Sequence, residues 1–289
     1  MIGKIFMVSG LNHIHKSNNI LEDKHFIYAL LSLCKITDTA MKTEFKNQFL
    51  ELWKKYFDNA ELPIICYYTD GNGGARWAEK PKGRSCLICE LTSVRNGESV
   101  IYHADAVTCG GARRYLGFTE KMRPGFEYFL SCGNDKTEGE RYIRTPEMVS
   151  EIMKNQRTLH MEGKNLVFKR WDALNEADEP EIVIFFARPD VLSGLFTLAN
   201  FDQVEPNGTI TPFGAGCGTI IHYPYMESKS ERPRAVIGMF DPSARPCVPE
   251  DVLSFAVPMK KFEKMVGYVE ESFLITETWS AIRKRIGKN

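Results

Sequence analysis

The sequence predicts an α+β protein, with mixed strands and helices packed around one sizeable core. Three observations carry this. Apolar residues recur at helical spacing in some stretches and as short β-branched runs in others. Strands and helices do not alternate strictly, which disfavours a doubly wound parallel sheet. Hydrophobic residues make up 43% of the 289, enough to fill a large core. The expected organisation is a mixed sheet, or sheets, packed with helices in one compact domain over residues 39–289 with room for two lobes. Residues 1–38 would precede it as an arm or short helical extension.

The N-terminal arm is polar and irregular, with His13 and His15 able to ligate a metal and a short helix expected over 28–34. Asp38 or Thr39 is placed to cap a helix to about Phe57. Phe45, Phe49, Leu50, Leu52, Trp53 and Phe57 give that helix one apolar face. Residues 62–68 read as a strand ended by the loop Asp70-Gly-Asn-Gly-Gly74, which lacks the lysine and hydroxyl of a phosphate-binding loop. A helix over 87–94, a strand over 99–103 and short helical pieces near 112–116 and 126–131 follow. Thr145 and Pro146 mark the cap and first position of a helix to about Gln156.

The second half is more regular. Strands are expected at 165–171, 181–187, 235–240 and 253–257. Helices are expected at about 190–200, from Pro258 to Tyr268, and from Thr276 to Ile286. The turn Asp241-Pro-Ser-Ala-Arg-Pro246 is rigid and polar, and reads as structural.

Charge narrows the function. Lysine plus arginine number 37, as do aspartate plus glutamate, so neither nucleic acid nor an anionic membrane is an expected main partner. The longest strongly apolar run, 182–187, is too short to span a bilayer, and the first residues lack the features of a signal peptide. The expected compartment is therefore the reducing cytoplasm. There, eight cysteines point to packing, metal binding or redox chemistry before structural disulfides.

The cysteines carry the chemistry. Cys86 and Cys89 form a lone CxxC, which can bind zinc, ligate a cluster or exchange disulfides. Cys109 precedes Gly110 and Gly111, with Arg113 and Arg114 close by, a setting that favours thiolate. Cys217 lies between Gly216 and Gly218, which would let a backbone approach a ligand. Cys132, beside Gly133, is a further ligand candidate. A four-thiolate site would draw on Cys89, Cys109 and Cys217 plus Cys86 or Cys132, and would hold an iron–sulfur cluster or zinc. Gly110, Gly111, Gly216 and Gly218 would shape the cofactor's surroundings. Cys66 reads as core, and Cys247, between Pro246 and Val248, has no special setting. His103 and His222 are available as base or ligand.

At these residues the chain resembles the bacterial and archaeal proteins grouped as domain of unknown function 169. The matching stretches are Phe49-Leu-Glu-Leu-Trp-Lys-Lys-Tyr56, Cys89-Glu with Arg95-Asn-Gly-Glu98, Cys109-Gly-Gly-Ala with Leu116-Gly117, and Phe168-Lys-Arg-Trp-Asp172. Phe185-Phe-Ala-Arg-Pro-Asp190, Pro212-Phe-Gly-Ala-Gly-Cys217 and Gly238-Met-Phe-Asp-Pro-Ser-Ala-Arg-Pro246 complete them. The resemblance covers roughly 45–286 and implies cysteines at the positions of Cys89, Cys109 and Cys217. Cys86 and Cys132 are additions to that pattern.

The expected function is a cysteine-ligated metal or iron–sulfur protein with a redox or electron-transfer role. A thiol-dependent enzyme using Cys109 or Cys217, and a small-ligand-binding domain with structural cysteines, are the alternatives. The expected partner is a small molecule or a redox protein, and oligomeric state is not legible.

Overall fold

In a computed structural model the chain is described over residues 41–136 and 138–286. The expected arm, the His13 and His15 pair and the helix over 28–34 lie outside the described residues. By its contacts the chain divides into Met1–Gln48 and Phe49–Asn289. The fold that follows is that of the second unit, a single compact α+β domain.

Its centre is an eight-stranded mixed sheet in the order β2-β3-β4-β1-β5-β8-β7-β6. The strands are β1 (Ile64–Thr69), β2 (Arg76–Trp77), β3 (Val100–Tyr102), β4 (Asn165–Arg170), β5 (Ile182–Ala187), β6 (Thr209–Ile210), β7 (Ala235–Gly238) and β8 (Leu253–Pro258). The inner pairs are antiparallel, and the two end pairs, β2 with β3 and β6 with β7, are parallel. Strand β5 is buried along its whole length, as its unbroken apolar sequence requires of a central strand covered on both faces.

Strand residues alternate between the two faces. One face is aromatic. Helix α1 (41–57) presents Phe49, Trp53 and Phe57 to it, and these rings meet Phe185, Trp171, Phe262 and Trp279. Phe262 belongs to α8 (Met259–Tyr268) and Trp279 to α9 (Glu277–Arg283). Trp279 donates from Nε1 to the Tyr56 carbonyl at 2.8 Å. Gly194, in α6 (Pro189–Ala199), leaves room for that indole, because a Cβ there would lie 2.5 Å from its ring. Lys169 and Asp178 are buried as an ion pair, with Nζ 2.8 and 2.9 Å from the two carboxylate oxygens. The Tyr67 hydroxyl and the Asn175 amide also donate to Asp178, so the buried carboxylate is well answered.

The other face carries Ile64, Cys66, Phe168, Ile184 and Ala256. It is covered by α2 (Leu87–Arg95), α3 (Gly110–Tyr115), a π-helical turn Gly218–His222 and α7 (Tyr223–Ser228). Helices α4 (Phe126–Leu130) and α5 (Pro146–Asn155) lie further out and pack on each other. The Thr145 hydroxyl accepts from the Met148 amide and Pro146 stands in the first turn, as the sequence predicts.

Candidate functional site

Four loops meet on the second face. The first leads into α2 and the second into α3. They are joined by Thr108, whose Oγ1 accepts from the Ser85 amide at 3.0 Å and donates to the Gly83 carbonyl at 3.1 Å. That link sets Cys86, the residue that opens α2, near Cys109, the residue that opens α3. The third loop, 213–218, is held to the fourth, 238–248, by Asp241. This buried carboxylate accepts from the Gly216 amide at 3.1 Å and from the Ser243 amide and hydroxyl at 3.0 and 2.8 Å. The Arg245 guanidinium donates to the carbonyls of Met239, Pro249, Glu250 and Val252, fixing the turn that carries Cys247. The structural role expected of the 241–246 turn is therefore what is seen, and the Arg245 amide closes it by donating to the Asp241 carbonyl at 3.1 Å.

These loops bring sulfur together. Cys89 and Cys247, 158 residues apart in sequence, form a disulfide with Cα atoms 4.7 Å apart. Cys86 stands beside it: the sulfurs of Cys86, Cys89 and Cys247 all lie within 4.8 Å of one another. Cys217 is buried, and burial above all pushes its thiol well up, with Cys109 and Cys86 near enough to add to the effect. Cys132 takes no part. It is exposed beyond α4, where its thiol lies 3.5 Å from the Gly133 carbonyl. Cys66 is buried in β1, as expected of a core residue.

Three expectations change. Cys247 was the member without a sequence signal: neither neighbour is a glycine, and its partner is brought to it only by the fold. A disulfide is present where the sequence favoured free or metal-bound thiols. The glycines around Cys217 do not expose its sulfur. A Cβ on Gly216 would lie 3.0 Å from the Ala244 Cβ and 3.2 Å from Ile88, and one on Gly218 would lie 2.9 Å from the Tyr115 ring. They allow the Cys217 loop to press against its neighbours, and Cys217 itself is only 7% exposed. Gly110 and Gly111 crowd nothing; a Cβ on Gly111 would merely touch the Cys109 sulfur at 3.9 Å. The Arg114 charge is also tied up, since its guanidinium donates to the carbonyls of Glu120 and Met153 and to Gln156.

The sulfur group borders a cavity of about 1290 Å³. Cys86, Cys109, Gly111 and His222 are in its wall, whereas Gly110, Gly216, Gly218 and Cys217 are not among its lining residues. His222 ends the π-helical turn, is buried, and makes T-shaped contacts with the rings of Tyr115 and Tyr223. Its Nδ1 has no hydrogen-bond partner among the described residues. Burial, reinforced by the Arg114 charge, lowers its pKa to about 4, so the ring is neutral at pH 7. Burial likewise pushes the Tyr115 phenol up to about 12. His103 is elsewhere: its Nδ1 accepts from the Asp105 amide, where it caps a short turn. Met239 has φ of 73° while fully buried, a costly conformation for a side chain with a Cβ.

Fold and site together define an α+β domain with a three-cysteine group, two of whose members form a disulfide, at the edge of a large cavity. The chain belongs to the domain of unknown function 169 family, described as uncharacterised ArCR, whose sequence profile matches residues 59–267. No curated protein and no solved structure gives a match. Among the described residues, no helix is long and apolar enough to cross a membrane.

Proposed function

We propose that Cys86, Cys89 and Cys247 form a redox-governed site for a single soft metal ion such as zinc. The observation that carries this reading is the mutual approach of the three sulfurs within 4.8 Å. A tetrahedral zinc ion with Zn–S bonds of about 2.3 Å spaces its sulfurs about 3.8 Å apart. A multi-iron cluster places sulfide and several irons between its thiolates and needs a wider frame, so the spacing favours one ion.

In the oxidised protein two of the three sulfurs are bonded to each other and cannot serve as thiolates. An external dithiol supplies two electrons and two protons, closes its own disulfide, and leaves thiols at Cys89 and Cys247. The three cysteines then release protons as the ion binds. Cys109, or a donor entering from the cavity, completes the coordination. Cys217 is poorly suited, because burial holds it as a thiol.

Zinc stoichiometry measured by elemental analysis tests this. Protein purified and kept under reductant should hold about one zinc per chain, and the disulfide form should hold none. Reduced, folded protein that fails to retain zinc or cobalt would overturn the reading.

The bonded pair itself favours a second reading, thiol–disulfide exchange. Here the Cys86 thiolate attacks the Cys89 sulfur, and Cys247 leaves as thiolate and takes up a proton. Trapping of a Cys86–Cys89 disulfide in metal-free protein would support it. If Cys89–Cys247 alone is recovered after equilibration with a thiol buffer, exchange through Cys86 does not occur.

A further inference from the structure

The cavity is larger than the three cysteines require. At about 1290 Å³ it exceeds the range of roughly 300–1,000 Å³ usual for small-molecule pockets. Its wall is rich in aromatic rings and methionines, including Phe126, Phe129, Tyr223, Met122 and Met153. Thioether side chains adapt to an apolar guest, and rings offer it flat surfaces. We propose that this cavity binds an uncharged, largely apolar organic molecule of cofactor size, seated against the thiols of Cys86 and Cys109.

Charge within the wall argues for an uncharged guest. Glu227 is paired with Arg234, and Lys229 with Glu162. Arg114 is spent on carbonyls, and Asp241 on Gly216 and Ser243. The other charged wall residues, Arg84, Arg157, Glu140 and Glu151, balance in sign, and Arg84 lies over the Phe129 ring at 5.6 Å. No single-signed cluster awaits a phosphate or carboxylate.

Two features of the wall mark the cavity as more than a packing fault. His222 is 4% exposed and leaves Nδ1 without a partner among the described residues, although a buried polar atom is normally satisfied. The residue sits on a π-helical turn, a distortion found often at functional sites. The wall covers Nδ1 as it stands, so a guest would meet this group through a turn of the ring. The two thiols give the guest a sulfur-lined border. The proposal needs neither a metal nor the reduced disulfide, so it stands or falls separately from the metal reading.

The test uses the full chain in its disulfide form and N-phenyl-1-naphthylamine, an uncharged aromatic amine that fluoresces when it leaves water. Saturable binding is expected, tighter than that of its sulfonated analogue, anilinonaphthalene sulfonate. Bound probe should slow iodoacetamide alkylation of Cys86 and Cys109 and leave exposed Cys132 unaffected. Gly111→Phe, which adds a ring to the wall, should weaken binding about tenfold or more. Ile152→Arg, a half-exposed wall position, gives the same reading should the first variant fold poorly. Absence of saturable binding, preference for the sulfonate, or binding that leaves both thiols unprotected and both variants unaffected would each overturn the proposal.

Discussion

The two faces of one sheet are built to different standards. On the aromatic face, Phe49, Trp53, Trp171, Phe185, Phe262 and Trp279 fill the space, and the buried Lys169 and Asp178 charges answer each other. On the cysteine face, the described residues with buried unpartnered polar atoms are found, His222 and Ser254. The left-handed Met239, the π-helical turn, the disulfide and the large cavity are there too. A protein departs from ideal packing mainly where function asks it to, and stability is supplied from elsewhere in the fold. The aromatic face is the foundation, and the cysteine face is the working surface of the proposed function.

The largest break in this contrast should come from the foundation. Trp279→Ala removes a fully buried indole together with its bond to the Tyr56 carbonyl. It should cost about 3–5 kcal/mol, read by urea unfolding, while leaving thiol accessibility in the folded protein unchanged. A folded variant with altered labelling of Cys86 or Cys109 would show that the faces are not independent.

Gly218→Ala should act on the working surface with a smaller penalty. Its Cβ would press on the Tyr115 ring at 2.9 Å, and overpacking of this kind costs about 1–3 kcal/mol. Because Tyr115 and His222 are in contact, probe binding in the cavity should weaken as well. Unchanged stability and binding would mean that the loop has room the structure does not show.

Near neutral pH the smallest effect is a pH dependence from His222, which grows only as the solution is acidified. Its folded pKa, about 4, lies below the ordinary value of 6.5. The unfolded chain therefore binds the extra proton first, and stability falls as pH drops from 6.5 through 4. His222→Phe should flatten that part of the stability profile, measured by unfolding at a series of pH values. An equal acid slope in wild type and variant would assign it to carboxylates. Cys217 acts at the other end: its raised thiol pKa makes its contribution full below the ordinary value of 9.0 and lost as pH rises above it.

Much of the foundation was legible in the sequence. The apolar face of α1, the unbroken run of β5 and the Thr145-Pro146 start of α5 are local patterns, and each is where it was expected. The two-residue edge strands β2 and β6 were not, because two residues carry no period and owe their pairing to the neighbouring strand. The π-helical turn was missed for a related reason: five residues carry no distinct period, and Gly218 and Thr219 meet Tyr115 and Gly238 only in the fold. The working surface was half legible. Cysteine identity pointed to the face where sulfurs gather, and glycine spacing suggested an exposed sulfur at Cys217, whereas Gly216 and Gly218 sit in close packing. Cys247 shows the limit most clearly, because its partner is set by the meeting of α2 with a turn far along the chain.

The most direct test of the account is a cobalt(II) titration of the reduced protein, followed by the thiolate-to-cobalt absorption band. Wild type and Cys132→Ala should give the same saturable band, while Cys86→Ala, Cys89→Ala and Cys247→Ala each lose most of it. A full band in Cys86→Ala, or no band in reduced, folded wild type, would contradict the claim that these three cysteines form a metal site.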